Sequence, residues 1–471
     1  MKKWIRANCE IIFIILAVLT AVILRYAAAL DNLRFDEVLS LEGARGLSSW
    51  WRVFFVAHDN NHILNSIYLR YFGEGSWWAS YRFFSIITGS AAIGLIGLIG
   101  FRRNLTTGII ALILSTFSFP LIIFSSEARG YAPAVFFSLL AFIAFQNYGQ
   151  KSKKKTLIIF WLSIIAGFLS HLLFAYIFAG FFFSVLFPLL SRPVKLGRRW
   201  IEFAKWYFAP SIFIVFFLMF FVKNLVLAGG LPAPQAIERF SLFIIPALGL
   251  PYGFTASILV AFVVFFAVLF WLYCIERQGN RNWIFFSIVV ALVPTLTLFL
   301  PLPFFNPNYL IFSLPFFYLL LASMLSNFIL QKKWQFLFAI LIIVLFCFFS
   351  INEIKRHFKL GRGNYIEALQ YIVQETKDPI ISITSDHDFR NEKMLNFYRQ
   401  FVKLKSGQKI EYVRSLDNTQ HPSWLIVHDP NPGAKPFNAF IRLGSDTYHL
   451  KRSFLNGSVI SGWSWFIYRR E

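Results

Sequence analysis

Residues 11–40 read IIFIILAVLTAVILRYAAALDNLRFDEVLS: a long apolar run, then a polar stretch that ends in the adjacent carboxylates Asp36 and Glu37. A run of about 20 apolar residues is the length a helix needs to cross the hydrocarbon core of a bilayer. The pattern recurs along the chain. Of its 471 residues 57% are hydrophobic and only 14% are charged, and the mean hydropathy is +0.60. A soluble chain of this size would need a far more polar skin. The composition therefore excludes a cytosolic enzyme, a fibrous protein and a disordered scaffold. Phe alone supplies 59 residues, as expected where side chains face lipid. Cys9, Cys274 and Cys347 lie in or beside apolar segments, so no disulfide framework is implied.

Windows of about 17 to 25 apolar residues predict about eleven transmembrane helices. They fall near 11–30, 83–100, 107–125, 131–148, 156–170, 172–190, 206–222, 256–274, 284–301, 309–329 and 335–351. Lys2, Lys3 and Arg6 before the first run, with Ala27-Ala28-Ala29 after it, imitate a signal peptide. The first run is read as an uncleaved helix, because the segment after it looks too functional to begin a mature chain. The formal charge of +22 is suggestive of nucleic acid, but much of it sits in short loops between spans. Those loops carry Lys2/Lys3/Arg6, Arg102/Arg103, Lys151/Lys153/Lys154/Lys155, Arg192/Lys195/Arg198/Arg199, Arg277/Arg281 and Lys332/Lys333. They alternate with the other loops, and the positive-inside rule makes their side cytoplasmic. The expectation is a multi-pass plasma (inner) membrane protein with a cytoplasmic N-terminus and an extracytoplasmic C-terminus. The lipid bilayer is then a partner and nucleic acid is not.

The outer side holds the large first loop 31–82, the loop 223–255, the turns 126–130 and 302–308, and a C-terminal domain. Leu47–Arg52 (LSSWWR) would lie along the membrane surface with its Trp residues at headgroup level. Residues 1–351 form the membrane module, and 352–471 change composition to that of a small α/β domain. There, helices are expected over 364–374 and 391–402, and strands over 379–384 and 423–428. No internal or inverted repeat is visible.

Four polar groups on that outer side could carry chemistry. Asp36 and Glu37 are costly at a membrane boundary unless solvated, paired or used, and either could take a proton from a hydroxyl nucleophile. The bland alternative is a helix cap. In AHDNNHILN (57–65), His58, Asp59 and His62 could hydrogen-bond a sugar or hold a divalent cation. Their spacing matches no zinc signature, so metal is a weak expectation and no cofactor is otherwise implied. In SSEARGY (125–131), Arg129 can bind a phosphate bidentately, and its alternative is pairing with Glu127 or snorkelling to headgroups. Asn308 and Tyr309, in NPNY (306–309), and His171, between two spans, join the same face.

The order and sidedness of RFDEVLS, AHDNNHILNSIYLRYFG, SSEARGYAPAVFFSLLAF and NPNYLIFSLPFFYLLLA resemble the motifs of the GT-C superfamily of polytopic membrane glycosyltransferases. The nearest group is the ArnT / protein O-mannosyltransferase group, glycosyltransferase family 39 and its neighbours. GRGNYIEALQYIVQ (361–374) and the strand after it resemble the outer domain many members carry. The resemblance implies transfer of a sugar from a polyprenyl-phosphate donor to a glycan, lipid or protein acceptor on the outer face. It implies that Asp36 is the general base or orients the acceptor nucleophile, and that Glu37 supports it or helps to hold the acceptor. Arg129 would help to hold the donor phosphate or organise the donor pocket, and His58 and Asp59 would line the donor or acceptor cavity. His62, Tyr131, His171, Asn308 and Tyr309 are further donor- or acceptor-binding candidates on the same face. Members invert at the anomeric carbon by direct displacement with the lipid phosphate as leaving group.

Two departures stand out. The family's Arg before the Tyr of the span-ten motif is Asn308 here, and the Pro-Pro of the first loop is Asn61-His62. Arg70, Arg82, Lys223 and Arg239 are candidates for the missing positive charge. A flippase or transporter of lipid-linked saccharide is the competing class, and it predicts ionisable residues in mid-span. An O-antigen-type polymerase or ligase is another, and it would carry its large functional loop late in the chain.

Overall fold

The computed structural model describes residues 2–56, 58, 60–73, 77–151, 154–191, 196–225, 240, 242–250, 282–299, 307–414, 421–430, 435–436, 438–458 and 460–471. The expected span 256–274, most of the loop 223–255 (Gly229–Pro234 and Arg239 included) and Asp59 lie outside the described residues. The chain divides into two compact units. Met1–Ala29 and Gly43–Ile351 form one, and Leu30–Glu42 and Asn352–Glu471 form the other.

The first unit is a helical membrane bundle. Its helices are α1 (Lys2–Ala28), α3 (Ile63–Phe72), α4 (Trp78–Phe101), α5 (Leu105–Phe117), α6 (Phe119–Phe124), α7 (Tyr131–Lys151), α8 (Lys154–Ser170), α9 (Phe174–Ser191) and α10 (Leu196–Phe220). After the undescribed stretch, α11 (Trp283–Phe286) runs through a π-helical turn (Ser287–Leu292) into α12 (Val293–Phe299). A 3₁₀ turn at Pro307–Phe312 leads into α13 (Leu314–Ile329), and α14 (Lys333–Leu360) follows. Among the described residues six helices are long and apolar enough to cross a membrane, and shorter apolar helices accompany them. This makes the chain a multi-pass membrane protein. Large apolar side chains stand exposed in rows, such as Ile12, Leu16, Leu19 and Ile23 on α1, or Leu337, Leu341, Val344 and Phe348 on α14. Water would not tolerate apolar faces of that extent, and lipid favours them.

Where helices meet, small residues let their backbones approach. A Cβ at Gly100 would come within 2.8 Å of the Cα of Gly108, so α4 and α5 cross at van der Waals contact. The expected span 107–125 is broken at Ser118. Its hydroxyl caps α6 by accepting from the Leu121 N–H, with Pro120 in the first turn. The cationic turn after α4 is fixed to α7 and α13. Arg102 donates to Gln146 (3.1 Å), Arg103 to Ser323 (2.5 Å), and Asn104 accepts from Ser326 (3.0 Å). Because α4 runs from Trp78 to Phe101, the residues near its start are at the other end, and there the polar motifs meet.

The second unit is an α/β domain. Its sheet comprises β1 (Ile380–Ser385), β2 (Lys409–Tyr412), β3 (Trp424–Asp429), β4 (Phe440–Leu443), β5 (Asp446–Phe454) and β6 (Ser464–Arg470), in the order β2-β1-β3-β6-β5-β4. β1 runs parallel to β2 and to β3, and the remaining pairs are antiparallel. Helices α15 (Tyr365–Glu375) and α16 (Asp388–Tyr398) complete the domain. The segment Leu30–Glu42, with most of α2 (Phe35–Arg45), belongs to this unit by its contacts. Asn32 donates to the Gly363 carbonyl (3.0 Å), Tyr398 donates to the Leu33 carbonyl (2.6 Å), and Asp31 accepts the Arg362 N–H. The loop that follows the first span thus begins as part of the domain encoded more than 300 residues later.

Candidate functional site

In the first unit, four separate segments deliver side chains to one buried cluster. The turn before α3 brings Asn60 and His62, the turn before α7 brings Arg129 and Tyr131, the break between α8 and α9 brings His171, and the 3₁₀ turn brings Tyr309 and Phe312. Arg129, His62 and His171 are buried. Arg129 donates from Nε to Nε2 of His62 (3.3 Å) and from Nη2 to Oδ1 of Asn60 (2.8 Å). Its guanidinium lies 4.9 Å from the centre of the Tyr131 ring, a cation–π contact. The His62 and His171 rings stack with centroids 4.8 Å apart. His171 sits 5.2 Å from the Tyr309 ring and 5.0 Å from Phe312.

Local rules explain why the chain folds this way. The Asn60–His62 turn is tied by its own side chains. His58 Nδ1 accepts the Asn60 N–H (3.0 Å), and Asn61 donates to the Val53 (2.7 Å) and Val56 (2.9 Å) carbonyls. Asn65, one turn on, holds the carbonyl of Ala128 (2.7 Å), and Ser85 holds that of Arg129 (3.1 Å). Gly130 has no room for a side chain, since a Cβ there would lie 1.7 Å from the Ser170 carbonyl oxygen. A glycine is therefore required where this turn rests on the end of α8. Asn308 precedes Tyr309 and is buried.

The electrostatics are dominated by buried Arg129, with the fully buried carboxylate Glu127 two residues before it and two imidazoles held neutral beside it. Burial, the Arg129 charge and neighbouring His171 hold His62 well below its ordinary value, against a hydrogen bond to the Ser170 backbone. Burial and Arg129 push His171 down to about 3. Both imidazoles are thus neutral at physiological pH. The cluster offers one fixed positive charge, flat ring faces and neutral hydrogen-bonding nitrogens, a set suited to an oxyanion next to a polar ligand.

The carboxylates lie in the second unit and separate into two roles. Glu37 is fully buried and accepts the Arg34 N–H (2.9 Å), closing the first turn of α2 from its third position as a capping-box residue does. Asp36 is partly exposed and pairs with Arg34 (Nη2 to Oδ2, 2.5 Å). The Asp36 charge is also felt by Arg390 of α16. The helix-cap alternative therefore describes Glu37, while Asp36 keeps a solvent-facing carboxylate.

His58 is half-buried and serves the turn that carries Asn60. Among the described residues no group of three or more His, Cys, Asp or Glu is close enough to hold a metal ion, and Asp59 lies outside that set. Arg82 donates to the Ala29 carbonyl (2.9 Å) and is fully buried. Two residues escape sequence reasoning. Asn60 shows itself only as the acceptor for Arg129. Arg25 of α1 is fully buried beside Gly89, and among the described residues its Nε and Nη2 have no hydrogen-bond partner. The signal for Arg25 was present, because a charged residue inside a span is rare.

No protein-family model matches the sequence, and no curated protein does either. Among solved structures the chain is similar to ArnT from Cupriavidus metallidurans. The crystal structure bound to undecaprenyl phosphate matches with 12% identity, covering 98% of this chain and 98% of that one, at a TM-score of 0.47. The apo state matches with 12% identity, the same coverage and a TM-score of 0.48. The chain is also similar to the archaeal oligosaccharyltransferase AglB from Archaeoglobus fulgidus, in complex with an inhibitory peptide and a dolichol-phosphate. That match has 13% identity and a TM-score of 0.47, covering 90% of this chain and 70% of that one.

Proposed function

We propose that this protein is an inverting membrane glycosyltransferase of the GT-C type, which moves a sugar from a polyprenyl-phosphate donor to a glycan, lipid or protein acceptor. The observation that carries the reading is the convergence of Asn60, His62, Arg129, Tyr131, His171 and Tyr309 in one buried cluster. Of these, all but His171 come from the motifs whose order resembles that superfamily. Undecaprenyl phosphate and dolichol-phosphate, named for the similar structures, belong to the proposed donor class.

In the proposed reaction Asp36 takes the proton from an acceptor hydroxyl as its oxygen attacks the anomeric carbon. The bond from that carbon to the phosphate oxygen breaks, and the polyprenyl phosphate leaves with the electron pair. Arg129 stabilises the charge developing on the leaving phosphate, with His62 and Asn60 fixing its orientation. Glu37 acts through Asp36 by closing the helix turn that carries it. We place the protein in the plasma membrane with its N-terminus cytoplasmic and its C-terminal domain extracytoplasmic, because the Lys- and Arg-rich loops alternate along the sequence with the other loops.

The test is transfer by the purified protein in lipid nanodiscs, using radiolabelled polyprenyl-phosphate hexoses and pentoses with an envelope glycolipid extract. Label moving from the donor to a new product, lost in Arg129→Gln, supports the proposal. A panel of donors that all remain intact with a folded protein contradicts it. The competing flippase reading predicts donor crossing a sealed vesicle membrane with its sugar–phosphate bond intact.

A further inference from the structure

Within the second unit, a second polar cluster lies beside the segment that carries Asp36. β1 and β3 are parallel neighbours, so their carboxyl ends share one edge of the sheet. In open α/β sheets that edge is where ligands bind, because loops diverge there and helices begin. Asp386 follows β1, His428 is near the end of β3, and α16 starts just beyond, with Arg390 in its first turn. Asp386 holds His428 from two sides. Its carboxylate meets Nδ1 (2.9 and 3.0 Å) and accepts the His428 N–H (3.1 Å). His387 stands 5.5 Å from the His428 ring, and Trp463 stands 5.5 Å from it on another side.

Trp463 is presented rigidly. Its N–H meets the Arg362 carbonyl (3.0 Å) and the Tyr365 hydroxyl (3.2 Å). Gly462 before it adopts φ +101°, and a Cβ there would lie 1.8 Å from the Arg362 carbonyl. Arg390 packs with its guanidinium 4.9 Å from the centre of the Trp463 ring and 6.0 Å from that of Phe35, the neighbour of Asp36. A guanidinium stacked in this way keeps its in-plane N–H donors for a planar oxyanion. Among the described residues no group accepts a hydrogen bond from Arg390, whereas Arg34 is committed to Asp36. Phe389, strongly exposed, extends an apolar wall next to it.

We propose that this face of the second unit is the acceptor subsite, and that it selects an acceptor saccharide bearing a phosphate or carboxylate, bound in the Arg390 fork. The inference rests on the proposed glycosyltransferase reading for the word acceptor, since Asp36 is the base assigned there. The apolar wall of Phe389, Phe35 and Trp463 takes the face of the ring. His387 and the His428–Asp386 pair meet its hydroxyls. Asp36 and Asp386 would repel an anion placed against them, which confines the anionic group to the Arg390 side.

The test is saturation-transfer NMR on the full-length protein in detergent micelles. The probes are methyl β-D-glucoside, methyl β-D-glucuronide and methyl α-D-glucoside 6-phosphate. At least one acidic glycoside should bind about tenfold better than the neutral one, the worth of one charge-assisted hydrogen-bond pair. Arg390→Gln should abolish that preference. Binding of the phosphate alone, or of the uronate alone, identifies the group selected. Should Arg390→Gln unfold the domain, Arg390→Lys keeps the charge without the fork and should still lose most of the preference. Equal binding of all three glycosides, or a preference that survives Arg390→Gln, overturns the inference. If acid binding depends on Arg390 while no donor is ever consumed, the subsite stands and the transferase reading falls. If sugar transfer is intact and dependent on Asp36 while glycoside binding ignores Arg390, the subsite alone falls.

Discussion

Arg129 donates its Nε hydrogen to Nε2 of His62 at 3.3 Å, which makes that imidazole an acceptor and therefore neutral. His171, stacked on it, is pressed the same way by burial and by the same arginine. The histidines beside Arg129 are thus neutral and are not proton shuttles at neutral pH.

A pH dependence of stability follows. Above about pH 6.5 His171 is neutral whether the chain is folded or not, and it adds no pH dependence. Below that value the unfolded chain binds a proton that the folded chain refuses until pH falls to about 3. Stability should then decline as pH falls, by up to about 1.4 kcal/mol per unit from this residue. His62 acts with the same sign. Melting of the detergent-solubilised protein at about pH 7.5 and pH 5.5 should show a smaller acid loss in His171→Phe than in the parent. An equal loss in both would mean that His171 is solvated or charged.

Gly130 makes the second prediction. A Cβ there would meet the Ser170 carbonyl at 1.7 Å and the His62 Cβ at 3.0 Å, and both neighbours are held by the backbone. Gly130→Ala should destabilise by about 2 kcal/mol or more through this overlap. It should also displace Arg129, so sugar transfer should fall further than the melting temperature implies. A variant with unchanged melting and unchanged transfer would show that the turn is not tightly seated.

Arg25 supplies the third. Among the described residues, two of its buried guanidinium nitrogens have no acceptor, which is costly to the fold. Replacing the whole charged group with an apolar one of similar length removes that cost. Arg25→Leu should melt at or above the temperature of the parent. A clear fall in melting temperature would show that Arg25 has a partner in the membrane-embedded protein.

The residues themselves show how far the sequence could be read. The spans and most of the cluster were legible because apolar runs, polar turns and Gly-containing motifs are local signals. His62, Arg129, Tyr131, His171 and Tyr309 could be named one by one, yet their meeting depends on helix packing that no local pattern encodes. The segment 30–42 read as the start of a membrane loop, because its contacts with Arg362, Gly363 and Tyr398 are more than 300 residues away in sequence. In the C-terminal domain the helix Tyr365–Glu375 and the buried strands β1 and β3 were visible from their periodicity. The short β2 and the exposed β4 bear no comparable apolar pattern. Arg390 and Trp463 stand in no motif of the sequence, and only the fold brings them together beside Phe35.

The most direct test of the account is the rate of sugar transfer by Asp36→Asn. Asparagine keeps the size of Asp36 and can still accept from Arg34, but it cannot take a proton. Transfer from a polyprenyl-phosphate sugar should fall by about 10²–10⁴-fold, the usual worth of a general base. Melting temperature and binding of the polyprenyl phosphate should match those of the parent. A folded variant that transfers sugar within about twofold of the parent rate would contradict the assignment of Asp36 and the mechanism built on it.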